Sequence, residues 1–88
     1  GSQPMMSFND NSIITYNGEI YNSLELYNEI NSKANINFKG KSDTEVLINY
    51  LEIYGIDKTL NHINGMYAFA YCNIKENKLY FARDIQHA

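Results

Sequence analysis

One cysteine, one proline, no tryptophan and no long apolar run set the first limits on this chain of 88 residues. A single thiol excludes an internal disulfide and fits a reducing compartment, so a cytoplasmic location is expected. No apolar stretch approaches the ~20 residues that a membrane span requires, and the N-terminus carries no signal-peptide pattern. No membrane partner is therefore expected. Basic residues are few: 7 Lys and Arg against 10 Asp and Glu give a net charge of −3, and the cations are scattered. Nothing in that pattern points to nucleic acid. Without tryptophan, the 8 Tyr and 4 Phe must supply the bulk of the core. The length suffices for one small domain with a modest core. There is no internal repeat and no low-complexity linker, and the abundance of Asn reads as composition bias.

Read in order, Gly1 to Asn11 is a loop, since Pro4 cannot donate to a central strand. Ser12 to Tyr16 reads as the first strand. Asn22 and Glu25 are spaced as a capping box, opening a helix from about Ser23 to about Lys33. Its apolar stripe is Ile20, Leu24 and Tyr27, widened by Leu26 and Ile30. Ala34 to Phe38 suggests a weak short strand, followed by a loop at Lys39-Gly40-Lys41. Ser42 and Glu45 form a second capping box. Val46, Leu47, Tyr50, Leu51 and Tyr54 then give a helical stripe that ends at Gly55. Asp57 to about His62 reads as a short helical turn capped by Asp57. Met66 to Ile74 reads as a strand apolar on both faces, hence covered on both. Lys75 to Lys78 is a hairpin loop and Leu79 to Ala82 the returning strand. The order predicts an α+β domain with two main helices and antiparallel strands.

The segment around which this arrangement turns is Tyr16-Asn17-Gly18-Glu19-Ile20-Tyr21-Asn22. Asn-Gly at a strand end reads as a tight turn, because both residues tolerate positive φ. It equally supplies a side-chain amide and a glycine N–H side by side, the parts of an oxyanion hole. Asp43 has two readings as well. It complements the dipole in the first turn of a helix, or it holds a cationic group such as an amino-acid ammonium. Glu19 is a surface residue or a second carboxylate for the same ammonium. Cys72 lies mid-strand with no activating neighbour in the sequence, and reads as a small buried hydrophobe. His62 and His87 have no partner at a catalytic or metal-binding spacing.

Taken together, Gln3-Pro4-Met5, Tyr16 to Asn22 (YNGEIYN), Ser42 to Glu45 (SDTE) with Val46-Leu47, Asn64 to Ala70 (NGMYAFA) and Ala82-Arg83-Asp84 resemble the glutaminase domain of asparagine synthetases. These are class II glutamine amidotransferases with the N-terminal-nucleophile hydrolase fold, an α-β-β-α sandwich. The resemblance runs from Gln3 to Asp84, with the motifs in family order. It implies that Asn17 and Gly18 form the oxyanion hole for attack on the glutamine side-chain amide. It implies that Glu19 and Asp43 hold the α-amino group of glutamine.

Two family features have no counterpart in this sequence. The family nucleophile is an N-terminal cysteine, whereas this chain opens at Gly1. The family arginine for the glutamine carboxylate precedes the Gln-Pro-Met motif, while Arg83 matches the later Arg-Asp motif. After Arg-Asp the family places a glycine where His87 stands. Residues 1–88 are therefore expected to be a single partial amidotransferase domain, without its nucleophile segment and without the synthetase domain, and inactive alone. The implied parent reaction releases ammonia from glutamine for amidation of aspartate. The resemblance implies ATP and Mg only for the synthetase domain, and no cofactor or metal for this part. The remaining parts of the enzyme, and a homo-oligomer formed through apolar strand faces, are the implied partners. The alternative is a non-catalytic module that keeps the glutamine-recognition scaffold for binding or assembly.

Overall fold

The computed structural model describes residues 3–84. Its element order is β1 (Met5–Met6), β2 (Ser12–Ile20), α1 (Ser23–Lys33), α2 (Asp43–Tyr54), α3 (Ile56–His62), β3 (Gly65–Asn73) and β4 (Lys78–Asp84). The four strands form one antiparallel sheet in the order β1-β2-β3-β4. The domain is α+β, with one sheet layer and one helix layer. Pro4 precedes the two-residue edge strand β1, where a missing N–H does least harm.

Alternation along the strands defines the faces. Ile14, Tyr16, Ile20, Tyr67, Phe69 and Tyr71 point to the helices and are buried. Register pairs Tyr16 with Phe69 and Ile14 with Tyr71, so three rings and an isoleucine form one slab. The same core takes in Leu26 and Ile30 of α1 and Val46, Leu47, Ile48, Tyr50 and Leu51 of α2, all buried. Truncating one of these, such as Leu47→Ala, would cost about 2–5 kcal/mol. The Tyr50 hydroxyl reaches out of the core to donate to Glu29 Oε1 at 2.9 Å. Burial and the Glu29 charge raise its pKa, so it stays a donor.

The structure corrects several expectations. Met66–Ile74 is not covered on both sides. Among the described residues, the helix layer lies on one face only, because α1 and α2 pack on each other and α3 follows α2 directly through Gly55. On the other face Met66, Leu79 and Phe81 are 45%, 59% and 76% exposed. Cys72 is half-buried on that open face, between Ile13 and Leu79, and is not a core residue. Leu24 is exposed, so the buried stripe of α1 is Leu26 and Ile30. Residues 34–38 form no strand; Ile36 and Phe38 pack on the core as loop side chains. The N-cap of α3 is Gly55 rather than Asp57, which sits in the first turn. The hairpin loop is 74–77, with Asn77 at φ 57° and Lys78 already in β4. His87 lies outside the described residues.

Candidate functional site

Asn17-Gly18 is not a tight turn. β2 runs on to Ile20, and Asn17, Gly18 and Glu19 pair with Ala68, Tyr67 and Met66 of β3. The glycine is nonetheless required. Its φ is +130°, and a Cβ would lie 2.2 Å from the Met66 carbonyl oxygen and 2.7 Å from the Tyr67 Cα. The two strands meet too closely at this point for any side chain. Gly65 faces the reciprocal constraint, with a Cβ 2.1 Å from the Glu19 carbonyl oxygen.

The corner after Ile20 is fastened by Asn22. It is the N-cap residue of α1, yet its side chain makes no cap hydrogen bond. Instead Nδ2 donates to the His62 carbonyl at 2.8 Å and Oδ1 accepts the Asn64 N–H at 2.9 Å. The Tyr21 N–H donates to the Asn64 carbonyl. The amide is thus a clasp between the end of β2 and the α3–β3 connection, two backbone groups about forty residues away in sequence.

The start of α2 is set by a second local device. Ser42 Oγ accepts the Glu45 N–H at 3.2 Å, half of a capping box. The Glu45 carboxylate does not return to Ser42. It accepts the N–H groups of Lys39, Gly40 and Lys41 at 2.6, 2.9 and 2.9 Å. Burial alone would raise the Glu45 carboxyl pKa; these three donors hold it below the usual carboxylate range. The loop ahead of α2 is thereby tied to the helix, which fixes where Asp43 emerges.

Asp43 then reaches across to β2. Its Oδ2 accepts the Ile20 N–H at 2.8 Å and the Tyr16 hydroxyl at 3.4 Å. The Ile20 N–H belongs to the peptide that Glu19 begins, so Asp43 is held within one residue of Glu19. Neither the Asp43 Oδ1 nor the Asn17 and Glu19 side chains form a hydrogen bond with any described residue. Asn17 and Glu19 occupy alternate positions of β2 and share the uncovered face. Asn17 lines a shallow groove there of about 380 Å³, with Thr15, Ala68, Ala70, Phe81 and Arg83. Arg83 lies in the same cross-strand row, opposite Ala68, which is opposite Asn17.

The four candidate residues thus fall in two groups that meet at one strand end. Asn17, Gly18 and Glu19 are contiguous on β2, and Asp43 is delivered from the helix layer. Cys72 lies four ladder positions from Ala68, outside this groove, among Ile13, Ala70 and Leu79. It has neither a helix N-terminus nor a described cation beside it. His62 Nδ1 lies 2.9 Å from the Lys58 carbonyl within α3. Among the described residues, no group of three or more His, Cys, Asp and Glu is placed to hold a metal ion, and no helix is long and apolar enough to cross a membrane. Two participants escaped the sequence reading. Sequence alone makes Tyr16 the last residue of a strand and Asn22 a cap; both act across sequence separations that no local pattern reports.

A two-layer α+β fold with an Asn-Gly-Glu strand end and an aspartate brought to it from a helix start defines the class. A family model described as the glutamine amidotransferase domain matches residues 1–86, and the chain belongs to that family. Its relatives include asparagine synthetase (glutamine-hydrolysing) 3 of Bacillus subtilis, 40% identical over 87 residues, covering 96% of this chain and 14% of the relative. Asparagine synthetase (glutamine-hydrolysing) 1 of the same organism is 38% identical over 84 residues, covering 96% and 13%. Asparagine synthetase (glutamine-hydrolysing) 1 of Arabidopsis thaliana is 33% identical over 84 residues, covering 96% and 14%. The chain therefore spans about 14% of the length of the curated relatives it matches.

Proposed function

We propose that this domain binds glutamine as part of a glutamine-hydrolysing asparagine synthetase, and that Asn17, Gly18, Glu19 and Asp43 form its substrate site. The observation that carries the reading is the strand end itself. An Asn17 amide with no partner among the described residues sits two residues from the peptide that Asp43 fixes. In the proposed reaction a thiolate attacks the side-chain carbonyl carbon of glutamine, and the carbonyl oxygen becomes an oxyanion. The Asn17 amide and the Gly18 N–H would stabilise that charge as it develops. The Asp43 and Glu19 carboxylates would hold the α-ammonium, orienting the amide for attack. The amide nitrogen takes up the proton that the thiol gave up and leaves as ammonia when the tetrahedral intermediate collapses, and water then hydrolyses the acyl-enzyme to glutamate and the free thiol. The thiolate is assigned to no residue of this chain. Amidation of aspartate, with ATP and Mg, belongs in this proposal to the rest of the protein, as does a cytoplasmic location.

The test is Asn17→Ala in the full-length protein. The amide acts on charge present only in the transition state, so its loss lowers kcat with little change in KM. The expected fall is roughly 10²–10³-fold, while synthesis driven by added ammonia persists. Undiminished glutamine-dependent turnover would return Asn17-Gly18 to a purely structural role.

A further inference from the structure

Two donors converge on a single oxygen of Asp43, and they come from different directions. One is the backbone N–H of Ile20 at 2.8 Å, fixed by the sheet. The other is the Tyr16 hydroxyl at 3.4 Å. Tyr16 and Ile20 lie on the same face of β2, and Gly18, which carries no side chain, lies between them. The phenol can therefore extend along the strand to reach the carboxylate.

We propose that Tyr16 is a positioning residue for Asp43, holding the carboxylate on Oδ2 so that Oδ1 stays available to the ammonium of an amino-acid substrate. This rests on the glutamine reading above. One backbone donor fixes the distance of a carboxylate but leaves it able to rotate about its Cβ–Cγ bond. A second donor on the same oxygen, long at 3.4 Å, narrows that freedom. Tyr16 is 8% exposed, and its ring is part of the slab beneath the helices. A hydroxyl so placed needs a partner, and Asp43 is the one it has among the described residues. Burial, then the charge and hydrogen bond of Asp43 and the charge of Glu19, push the phenol pKa well above its ordinary value. The group is a donor at every working pH. The hydroxyl contacts no substrate in this scheme and acts only through Asp43.

Tyr16→Phe in the full-length protein separates this role from a structural one, because it removes one oxygen and keeps the ring. The expected result is a roughly three- to tenfold rise in KM for glutamine, with kcat changed by less than about twofold and Tm unchanged. The second arm is Tyr16→Phe in an Asp43→Asn background. There the charge to be positioned is gone, so the phenol adds no further rise in KM. A KM unaffected by Tyr16→Phe overturns the proposal, as does a rise that simply adds to that of Asp43→Asn. So does a rise accompanied by a large fall in Tm. If Asp43→Asn itself raises KM, those three results leave the glutamine reading standing. If Asp43→Asn leaves KM unchanged, the glutamine reading falls and this proposal with it.

Discussion

Replacing Gly18 by alanine should cost the fold far more than one methyl group suggests. The residue sits mid-strand at φ +130°, a conformation that costs an L side chain about 1–3 kcal/mol. The new Cβ would also fall 2.2 Å from the Met66 carbonyl oxygen, where real Cβ contacts stay beyond 3.0 Å. The obstruction is backbone, so no side-chain rotation relieves it. β2 and β3 must part by roughly 1 Å, loosening two or so ladder hydrogen bonds worth about 0.5–1.5 kcal/mol each. The expected loss is about 3–5 kcal/mol. At about 4–8 °C per kcal/mol for a domain of this size, Tm should fall by more than about 10 °C. The other glycines supply the controls. Gly65→Ala meets the Glu19 carbonyl at 2.1 Å and should behave like Gly18→Ala. Gly55 has φ +87° but open space, so alanine there costs only the conformational part, about 1–3 kcal/mol. Gly40 has neither constraint, and Gly40→Ala should be neutral or stabilising by up to about 1 kcal/mol. Thermal unfolding of the four variants by circular dichroism tests the order. Gly18→Ala within about 1 kcal/mol of the parent, or no more harmful than Gly40→Ala, would refute the reasoning.

Asp43→Asn keeps an acceptor for the Ile20 N–H but loses the charge, so KM for glutamine should rise more than kcat falls; a change confined to kcat would contradict an ammonium-holding role. Glu45 has its pKa depressed in the folded state, so the stability it contributes is present above the ordinary glutamate value and is lost as pH falls through the folded value. Glu45→Gln should accordingly lower Tm at neutral pH and converge with the parent on acidification; a gap that widens in acid would exclude this. The open sheet face should make the 88-residue chain self-associate, and Leu79→Lys with Phe81→Lys should shift it toward monomer in sedimentation; a parent chain that sediments as a monomer counts against that surface.

Legibility in the sequence followed the range of the interaction. The two long helices, the strand at Met66 and the Gly55 terminus were readable because each rests on periodicity or a cap within a few residues. The Ser42–Glu45 box was readable for the same reason, although half of it serves the preceding loop. The Asn-Gly pair misled as a turn because both residues tolerate positive φ, yet only Gly18 adopts it, and not for a turn. The cause is the approach of β3, nearly fifty residues later. Asn22 misled likewise, since a capping pattern is local and its actual partners at His62 and Asn64 are not.

The error about strand cover has a different origin and bears on the site. Alternating Met66, Ala68, Ala70 and Cys72 with Tyr67, Phe69 and Tyr71 makes both faces apolar, but apolarity does not by itself mean cover. Side-chain size separates them. The face under the helices carries the buried rings of β2 and β3, while the other carries Ala68, Ala70 and Cys72 along β3 with the exposed Met66 at its start, Asn17 and Glu19 on β2, and Leu79, Phe81 and Arg83 on β4. At the Asn17 end, Ala68 between the Asn17 amide and the Arg83 guanidinium makes a floor with polar edges rather than a core, while Leu79 and Phe81 leave the β4 side of the same face apolar. The site takes its parts from both sides of the sheet. Asn17 and Glu19 belong to the floor, whereas Asp43 comes from the helix layer and reaches the Ile20 N–H where β2 ends. Gly18 connects the two by bringing β2 against β3 at that end. A change there that moves either strand should therefore disturb Asn17 and the Asp43 contact together.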